Sequence, residues 1–485
     1  MPDYDAASEL PLGLGSRALR NTVVVLAAKV VARLIALVTV IAMLNHLTAP
    51  RYGAFTTLVN YTAIVSVLLD LGFNVLYVRE GARHRTEIQR YLRNVMSVRL
   101  LMAVVSLVIL AALLSLAGLG DLVVPAFALM VLTSYASLLR NTLYAVQRLG
   151  YEAIAVVLES LVLIALVLTG IKTKQGVTYF VWAYAAQYAF SCVYFGVVLA
   201  VTHIATIGWK FEPALLRAWL WKGLPFALTF VITILYFRID QPIVYALRPH
   251  DEAGWYAAAY KPFEALLFIP MTFLSVVFPV LAIYHRERRQ DLLDALGRFF
   301  KALLLMGWPM TVGIFVLAHP LTNALHLYEK SEPALRILAL ALVIGFVNNA
   351  FIGALSASDR QSSFTWAAGW SLVANVVLNL ALIPSFGYLG ASWATVLTEV
   401  VLFITGWTLT ARHIGRVPVI RLGWRPVLAG LVMGVVVFPM RDFAGVAIAF
   451  PIVVGAGVYA VAALMLKAVT PEEIRLARRA LAPAP

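Results

Sequence analysis

Apolar residues in this chain neither alternate along strands nor keep to one helical stripe. They fill whole stretches of about twenty residues, the length at which a helix rising 1.5 Å per residue crosses the hydrocarbon of a bilayer. Such windows predict spans over 21–47, 52–77, 94–117, 122–146, 151–171, 177–201 and 223–247, then over 254–284, 299–319, 335–356, 365–384, 390–411, 426–442 and 444–468. Backbone N–H and C=O groups in hydrocarbon must find partners inside their own segment, so these stretches are read as helices. The expected fold class is all-α, a polytopic membrane protein of about fourteen transmembrane helices. Residues 1–222 form an N-terminal lobe of helices 1–6 with an interlobe amphipathic segment, and 223–425 a C-terminal lobe of helices 7–12. Residues 426–485 carry helices 13–14 and a cytoplasmic tail. The polar interruptions are too brief to house a soluble domain.

Composition agrees with this pattern. Of 485 residues 62% are hydrophobic and 13% charged, where a soluble domain carries about a quarter charged. A net charge of +14 would suit nucleic acid if the basic residues lined one soluble face, but they sit in short loops between spans, so no nucleic-acid partner is expected. Their placement reports topology instead. With the N-terminus inside, about 26 Lys and Arg, Arg99 among them, fall on inner segments and about 7 on outer ones, which puts both termini on the cytoplasmic side. The opening residues include Asp3, Asp5 and Glu9 and lack the basic stretch of a signal peptide, so the first apolar segment is expected to stay as a span. A lone Cys192 forms no internal disulfide.

The two halves resemble each other. Tyr144-Ala-Val-Gln-Arg-Leu-Gly150 closes the fourth span and Ala354-Leu-Ser-Ala-Ser-Asp-Arg360 the tenth, while Tyr52-Gly53 precedes the second and Gly254-Trp-Tyr256 the eighth. An offset of six helices makes the halves parallel repeats. Between them, over 202–222, Trp209, Phe211, Leu215, Leu216, Trp219 and Leu220 alternate with Lys210, Arg217 and Lys222, a pattern expected of an interfacial amphipathic helix.

Leu47-Thr-Ala-Pro-Arg-Tyr-Gly-Ala-Phe55, followed by Leu69-Asp-Leu-Gly-Phe-Asn74 and Arg79-Glu80, resembles the opening of the polysaccharide-unit (lipid-linked oligosaccharide) flippases of the multidrug/oligosaccharidyl-lipid/polysaccharide exporter superfamily. Asn375-Val-Val-Leu-Asn379 through Ile383-Pro-Ser-Phe-Gly387 to Gly390-Ala-Ser-Trp-Ala-Thr395 is similar to the segment entering their twelfth helix, except that Trp393 stands where a small residue is usual. The resemblance implies two six-helix lobes in a V around a cavity that opens alternately to each side, with two added C-terminal helices. It implies a flippase of the bacterial inner membrane that carries an undecaprenyl-pyrophosphate-linked oligosaccharide from the cytoplasmic to the outer leaflet. The product would feed O-antigen, capsule or exopolysaccharide assembly, with glycosyltransferases and a polysaccharide polymerase as partners besides membrane lipid.

An ionisable side chain in hydrocarbon is costly unless it faces water or a partner, so each one within a span is a candidate. Lys29 and Arg33 lie four apart on one face of the first span, about 12 to 18 Å from its inner end. Arg238 falls about 22 Å into the seventh span and Lys261 about 10 Å from the outer end of the eighth. With Arg140 near the inner end of the fourth span, these are the candidate substrate-binding residues, a cationic path for an anionic headgroup. Arg holds phosphate through forked hydrogen bonds and Lys acts as a compact charge. Tyr236, Trp255, Tyr256 and Tyr260 are candidates to stack on sugar faces, or to serve as interfacial anchors. Asp70, Glu159, Asp240 and Glu264 are the candidate ion-coupling carboxylates. A structural reading stands beside each charge: Arg238 pairing with Asp240, Lys261 with Glu264, Arg140 snorkelling, and Asp70 fixing a helix end. Pro225 and Pro242 bracket the seventh span, and Pro262 and Pro270 interrupt the eighth, as bending points or static kinks.

No G-x-x-x-x-G-K-[ST], H-E-x-x-H, G-x-S-x-G or C-x-x-C occurs, and the eight His lack ligand spacing. No enzyme, cofactor or metal is expected. Two alternatives stand beside the flippase. One is an ion-coupled multidrug exporter of the same superfamily, which calls for an acidic site where the deep charges here are mostly basic. The other is a non-transporting membrane subunit of a polysaccharide assembly machine.

Overall fold

A computed structural model describes residues 12–287, 289–443 and 445–470; Asp3, Asp5 and Glu9, and the basic tail residues Arg475, Arg478 and Arg479, lie outside them. Every regular element in the described residues is helical. The first are α1 (Leu12–His46), α2 (Ala49–Val65), α3 (Val67–Asp70), α4 (Phe73–Arg83), α5 (Ile88–Leu116), α6 (Val123–Ala145), α7 (Leu149–Lys172) and α8 (Val177–Val201). There follow α9 (Pro213–Arg238), α10 (Asp240–Leu247), α11 (His250–Leu266), α12 (Phe268–Glu287), α13 (Arg289–Val316) and α14 (Ala318–Ala324). The last are α15 (Glu332–Ala357), α16 (Gln361–His413), α17 (Val419–Val437) and α18 (Ala449–Met465).

Among the described residues twelve helical segments are long and apolar enough to cross a membrane. One of them, α16, is two helices joined at Gly387, where φ is 60° and ψ −144°, and α18 is a further apolar helix of 17 residues. Counting α16 twice and adding α18 gives fourteen among the described residues. The chain is a multi-pass membrane protein. Val104, Val108, Val193 and Val435, each more than 60% exposed, belong to a surface that lipid covers, since water would make such exposure costly.

The chain forms two compact units, Met1–Leu47 with Ala54–Ile234, and Thr48–Gly53 with Leu235–Pro485. In the first, Phe73, Leu76 and Tyr77 of α4 pack with Leu92, Val95 and Met96 of α5, Leu138 and Leu143 of α6, Phe195 of α8 and Trp219 of α9. In the second, Leu296, Phe299, Phe300 and Leu303 of α13 pack against Val347, Ala350, Phe351 and Ala354 of α15. Ala429 of α17 meets Ala462 and Ala463 of α18. Small residues let helices approach closely where lipid supplies no hydrophobic drive between them.

Two helix breaks follow directly from proline. Pro242 has no N–H for the carbonyl of Arg238, four residues back, and α9 ends at Arg238. Pro270 likewise leaves the carbonyl of Leu266 without its donor, and α11 ends at Leu266. Pro225 and Pro262 stay inside α9 and α11. The glycines that open the repeated segments prove to touch: a Cβ on Gly254 would lie 2.0 Å from the carbonyl oxygen of Ala49, and one on Gly53 2.8 Å from the backbone nitrogen of Gly254.

Two expectations are corrected. The helix expected over 202–222 begins only at Pro213; Thr202–Glu212 carries no helix, and His203 takes φ 53°. Proline is favoured in the first helical turn, and side chains of α5 bind the preceding stretch outside any helix. The guanidinium of Arg93 donates to Thr206 (2.7 Å), the backbone of Lys210 donates to Ser97 (3.1 Å), and that of Glu212 to Asn94 (2.7 Å). Arg99, counted among the inner-loop charges, is instead a fully buried side chain of α5. Trp393 is 43% exposed, so it crowds no helix contact.

Candidate functional site

The deep charges fall into separate clusters. In the first unit, Lys29 of α1 lies 3.4 Å from the carboxylate of Glu152 on α7. It also hydrogen-bonds the Tyr144 hydroxyl (3.2 Å), which itself donates to Glu152. Arg33, one turn further along the same face, is exposed. Arg140 of α6 grips both carboxylate oxygens of Glu159 on α7, at 2.6 and 2.7 Å, with Phe195 below its guanidinium. This pair, with Glu159 buried and Arg140 half-buried, stands where Arg140 was expected to snorkel.

Asp70 sits where the second span breaks. Leu71 and Gly72 take left-handed conformations between α3 and α4, and the Asp70 carboxylate accepts from the backbone of Asn74 (3.1 Å) and from Arg99 (3.1 Å). Arg99 also donates to the Asn74 side chain (2.8 Å) and to Ser134. Every one of these contacts lies within one unit's core, so Asp70 fixes the break.

In the second unit, Arg238 at the end of α9 pairs with Glu264 of α11 (2.9 Å), and Lys261 pairs with the same carboxylate (3.0 Å). The pairing of Arg238 with Asp240 is thus not made: the break after Arg238 turns Asp240 inward, while Arg238 stays half-exposed. Arg238 and Lys261 thus share the one Glu264 carboxylate.

Asp240, at the first position of α10, is 4% exposed and is met by neutral donors. The Asn379 amide (2.8 Å), the Tyr256 hydroxyl (3.1 Å) and the Thr395 hydroxyl (3.2 Å) donate to it, and Asn375 bonds it as well. Its neighbours come from both arms of α16, so the motif that carried the family resemblance, Asn375 to Thr395, is what encloses it. Gly387 makes the turn between those arms. A Cβ there would meet Glu252 at 2.1 Å, whose carboxylate accepts the Tyr388 backbone N–H (2.9 Å) and the Arg248 guanidinium (2.9 Å).

Sequence reasoning passed over Glu399 and Glu152. Glu399, one turn beyond Thr395, is 4% exposed and accepts from the Tyr236 hydroxyl (2.8 Å) and the Asn348 amide (2.7 Å). The signal was available: it is an acidic residue inside the twelfth apolar stretch. The aromatic candidates separate as well. Tyr256 is buried on Asp240 and Tyr236 is bound to Glu399, whereas Trp255 packs edge-on to Tyr388 with Lys330 over its face. Among the described residues no group of three or more His, Cys, Asp or Glu is arranged to hold a metal ion.

The chain shares its fold with solved membrane transporters. It is similar to the lipid II flippase MurJ in an inward closed conformation, with a TM-score of 0.75 and 14% identity over 91% of this chain and 98% of that one. An inward-facing multidrug resistance MATE transporter of the MOP superfamily aligns with a TM-score of 0.68 and 16% identity, over 79% and 94%. A MOP superfamily transporter from Pyrococcus furiosus aligns with a TM-score of 0.57 and 16% identity, over 82% and 95%. No curated protein sequence matches the chain. The fold is therefore that of MOP-type flippases and transporters. Residues 18–285, more than half of the 485, match the family described as polysaccharide biosynthesis protein, and the chain belongs to that family.

Proposed function

We propose that this protein is a flippase that carries an undecaprenyl-pyrophosphate-linked oligosaccharide from the cytoplasmic to the outer leaflet of a bacterial inner membrane, by alternating access. The observation that carries the reading is a set of basic side chains within the apolar helices of a fold of this family. Arg238 and Lys261 share Glu264, and Lys29, Arg33 and Arg140 are accompanied in their unit by Glu152 and Glu159. A pyrophosphate entering such a cluster exchanges one carboxylate partner for another anion, and so avoids the cost of stranding a charge in a low dielectric. A guanidinium bound at one face still has N–H groups for a phosphate oxygen. The glycan enters assembly by glycosyltransferases and a polymerase; both termini lie in the cytoplasm, as the alternation of basic loops supports.

Asp240 is the ion-coupling carboxylate in this reading. It is buried with no cation on it, and a neighbouring amide oxygen, Oδ1 of Asn379, is buried without a partner. A carboxylate so placed gains from taking a proton or a sodium ion. Asp70, locked to Arg99, and Glu264, holding two cations, are less suited. The same Asp240 favours a second reading, an ion-coupled exporter of small cations. The two part in vivo. In a strain deleted for the gene, Arg33→Ala or Arg238→Ala should reach the membrane yet fail to restore surface polysaccharide; full restoration by both sinks the cationic path, and drug sensitivity as the sole phenotype favours the exporter.

A further inference from the structure

Glu399 has no part in the charge clusters that would handle an anionic headgroup. Its carboxyl is bound by Tyr236 of α9 and Asn348 of α15, and among the described residues no Lys or Arg is paired with it. A carboxylate left ionised in such a place, with two neutral hydrogen bonds, bears a large desolvation cost that a proton removes. A cavity joins it to Asp240, lined by Tyr236, Tyr260, Asn375, Thr395 and Thr398. It has ≈ 10 Å³ of room for the centre of a water molecule, about one water. Two buried polar atoms beside the carboxyl lack hydrogen-bond partners, Oδ1 of Asn348 and Oγ1 of Thr398. Both can accept, and a protonated carboxyl has an O–H to give once the Asn348 amide turns over.

We infer that Glu399 is a proton-binding site separate from Asp240, and that it takes up and releases a proton through the cavity the two share. The proton adds to a carboxylate oxygen on uptake and leaves from the same oxygen on release; no other bond changes. The groups that face it are the phenols of Tyr236 and Tyr260 and, across the cavity, Asp240, with Arg238, Lys261 and Glu264 gathered beyond Tyr260. Two carboxylates in one low-dielectric chamber repel when both are ionised, so a cation on Asp240 favours loss of the proton on Glu399. The site would thereby couple two ions inside one unit. The inference extends the ion-coupling role given to Asp240 but does not need the lipid-linked substrate.

Infrared difference spectroscopy of the purified full chain in lipid nanodiscs, titrated from mildly acidic to mildly alkaline pH, tests it. The wild type should show the C=O band of a protonated carboxylic acid that Glu399→Gln lacks and Asp240→Asn keeps, with its midpoint in Asp240→Asn displaced by about one pH unit. Glu399→Gln is nearly isosteric, and an unchanged elution volume and circular dichroism spectrum establish that it folds. Asn348→Leu supplies a second readout, since losing that neighbour should move the band's frequency without abolishing it. If the Glu399→Gln spectra superimpose on those of the wild type, Glu399 does not exchange a proton and the inference is wrong. That outcome leaves the polysaccharide phenotype of Arg33→Ala and Arg238→Ala untouched, and failure of those variants leaves the infrared band untouched.

Discussion

Arg99 shows how a single residue can be costly alone and useful in company. Fully buried, it spends its donors on Asp70, Asn74 and Ser134, and Asp70 in turn ties the broken second span. Removing one member of such a pair strands the other, so Arg99→Met should destabilise the protein by about 3–5 kcal/mol, and adding Asp70→Asn should recover most of the loss. Thermal unfolding of the purified variants checks this; a double variant no better than the single would place the cost elsewhere. Gly387 works through the backbone. Its φ of 60° with ψ of −144° is a conformation open essentially to glycine, and a methyl group would also strike Glu252. Gly387→Ala should therefore cost about 1–3 kcal/mol by the same assay, while Gly390→Ala, crowded but in helical backbone, separates crowding from conformation. At this scale the sequence was only partly legible. It marked Asp70, Arg140, Asp240 and Glu264 as charges in apolar stretches and paired Glu264 with Lys261, three residues away on one helix, but it missed the partners of the other three, because an ion pair between α5 and α3 or between α6 and α7 depends on helix rotation and depth. Arg99 was misplaced in a loop for the same reason.

Among the elements, hydropathy alone located the helices, since lipid admits few other solutions, and the prolines located two breaks through the carbonyls they leave unbonded. The segment before α9 escaped because amphipathic composition is shared by an interfacial helix and by a non-helical strap that side chains hold in place. The strap is held at Glu212. Hydrogen bonds from Arg90, and then from Lys210, hold its carboxyl down at about 2 from an ordinary 4.5. A depressed folded-state value means the contribution is fully present above the ordinary value and is lost as pH falls from about 4.5 through about 2. The pH dependence of thermal unfolding should therefore weaken in that window in Glu212→Gln, the variant being less stable than the wild type above it and converging on it below. Identical acid profiles for the two proteins would show that the strap carries no such linkage.

For the molecule as a whole, the family and the all-helical membrane fold follow from the sequence and its relatives. The chemistry does so less, because function depends on which charges share a chamber. The expected path of free cations is, in the structure, a set of clusters in which cations are paired with carboxylates. That changes the expected mechanism from simple attraction to exchange of anionic partners, and it predicts that neutralising Glu264 tightens rather than abolishes binding of a pyrophosphate lipid. Glu264→Gln, compared with Arg238→Ala by binding of a fluorescent pyrophosphate lipid to the purified protein, should bind more tightly and Arg238→Ala about tenfold more weakly, as befits loss of a charged hydrogen bond. The most direct measurement reconstitutes the purified protein alone in liposomes with a lipid-linked oligosaccharide and follows how fast the glycan becomes accessible to glycosidase added outside. The account predicts transfer by the wild type well above protein-free liposomes and a loss of about tenfold or more in Arg238→Ala. Transfer no faster than in protein-free liposomes, or undiminished in Arg238→Ala, would contradict it.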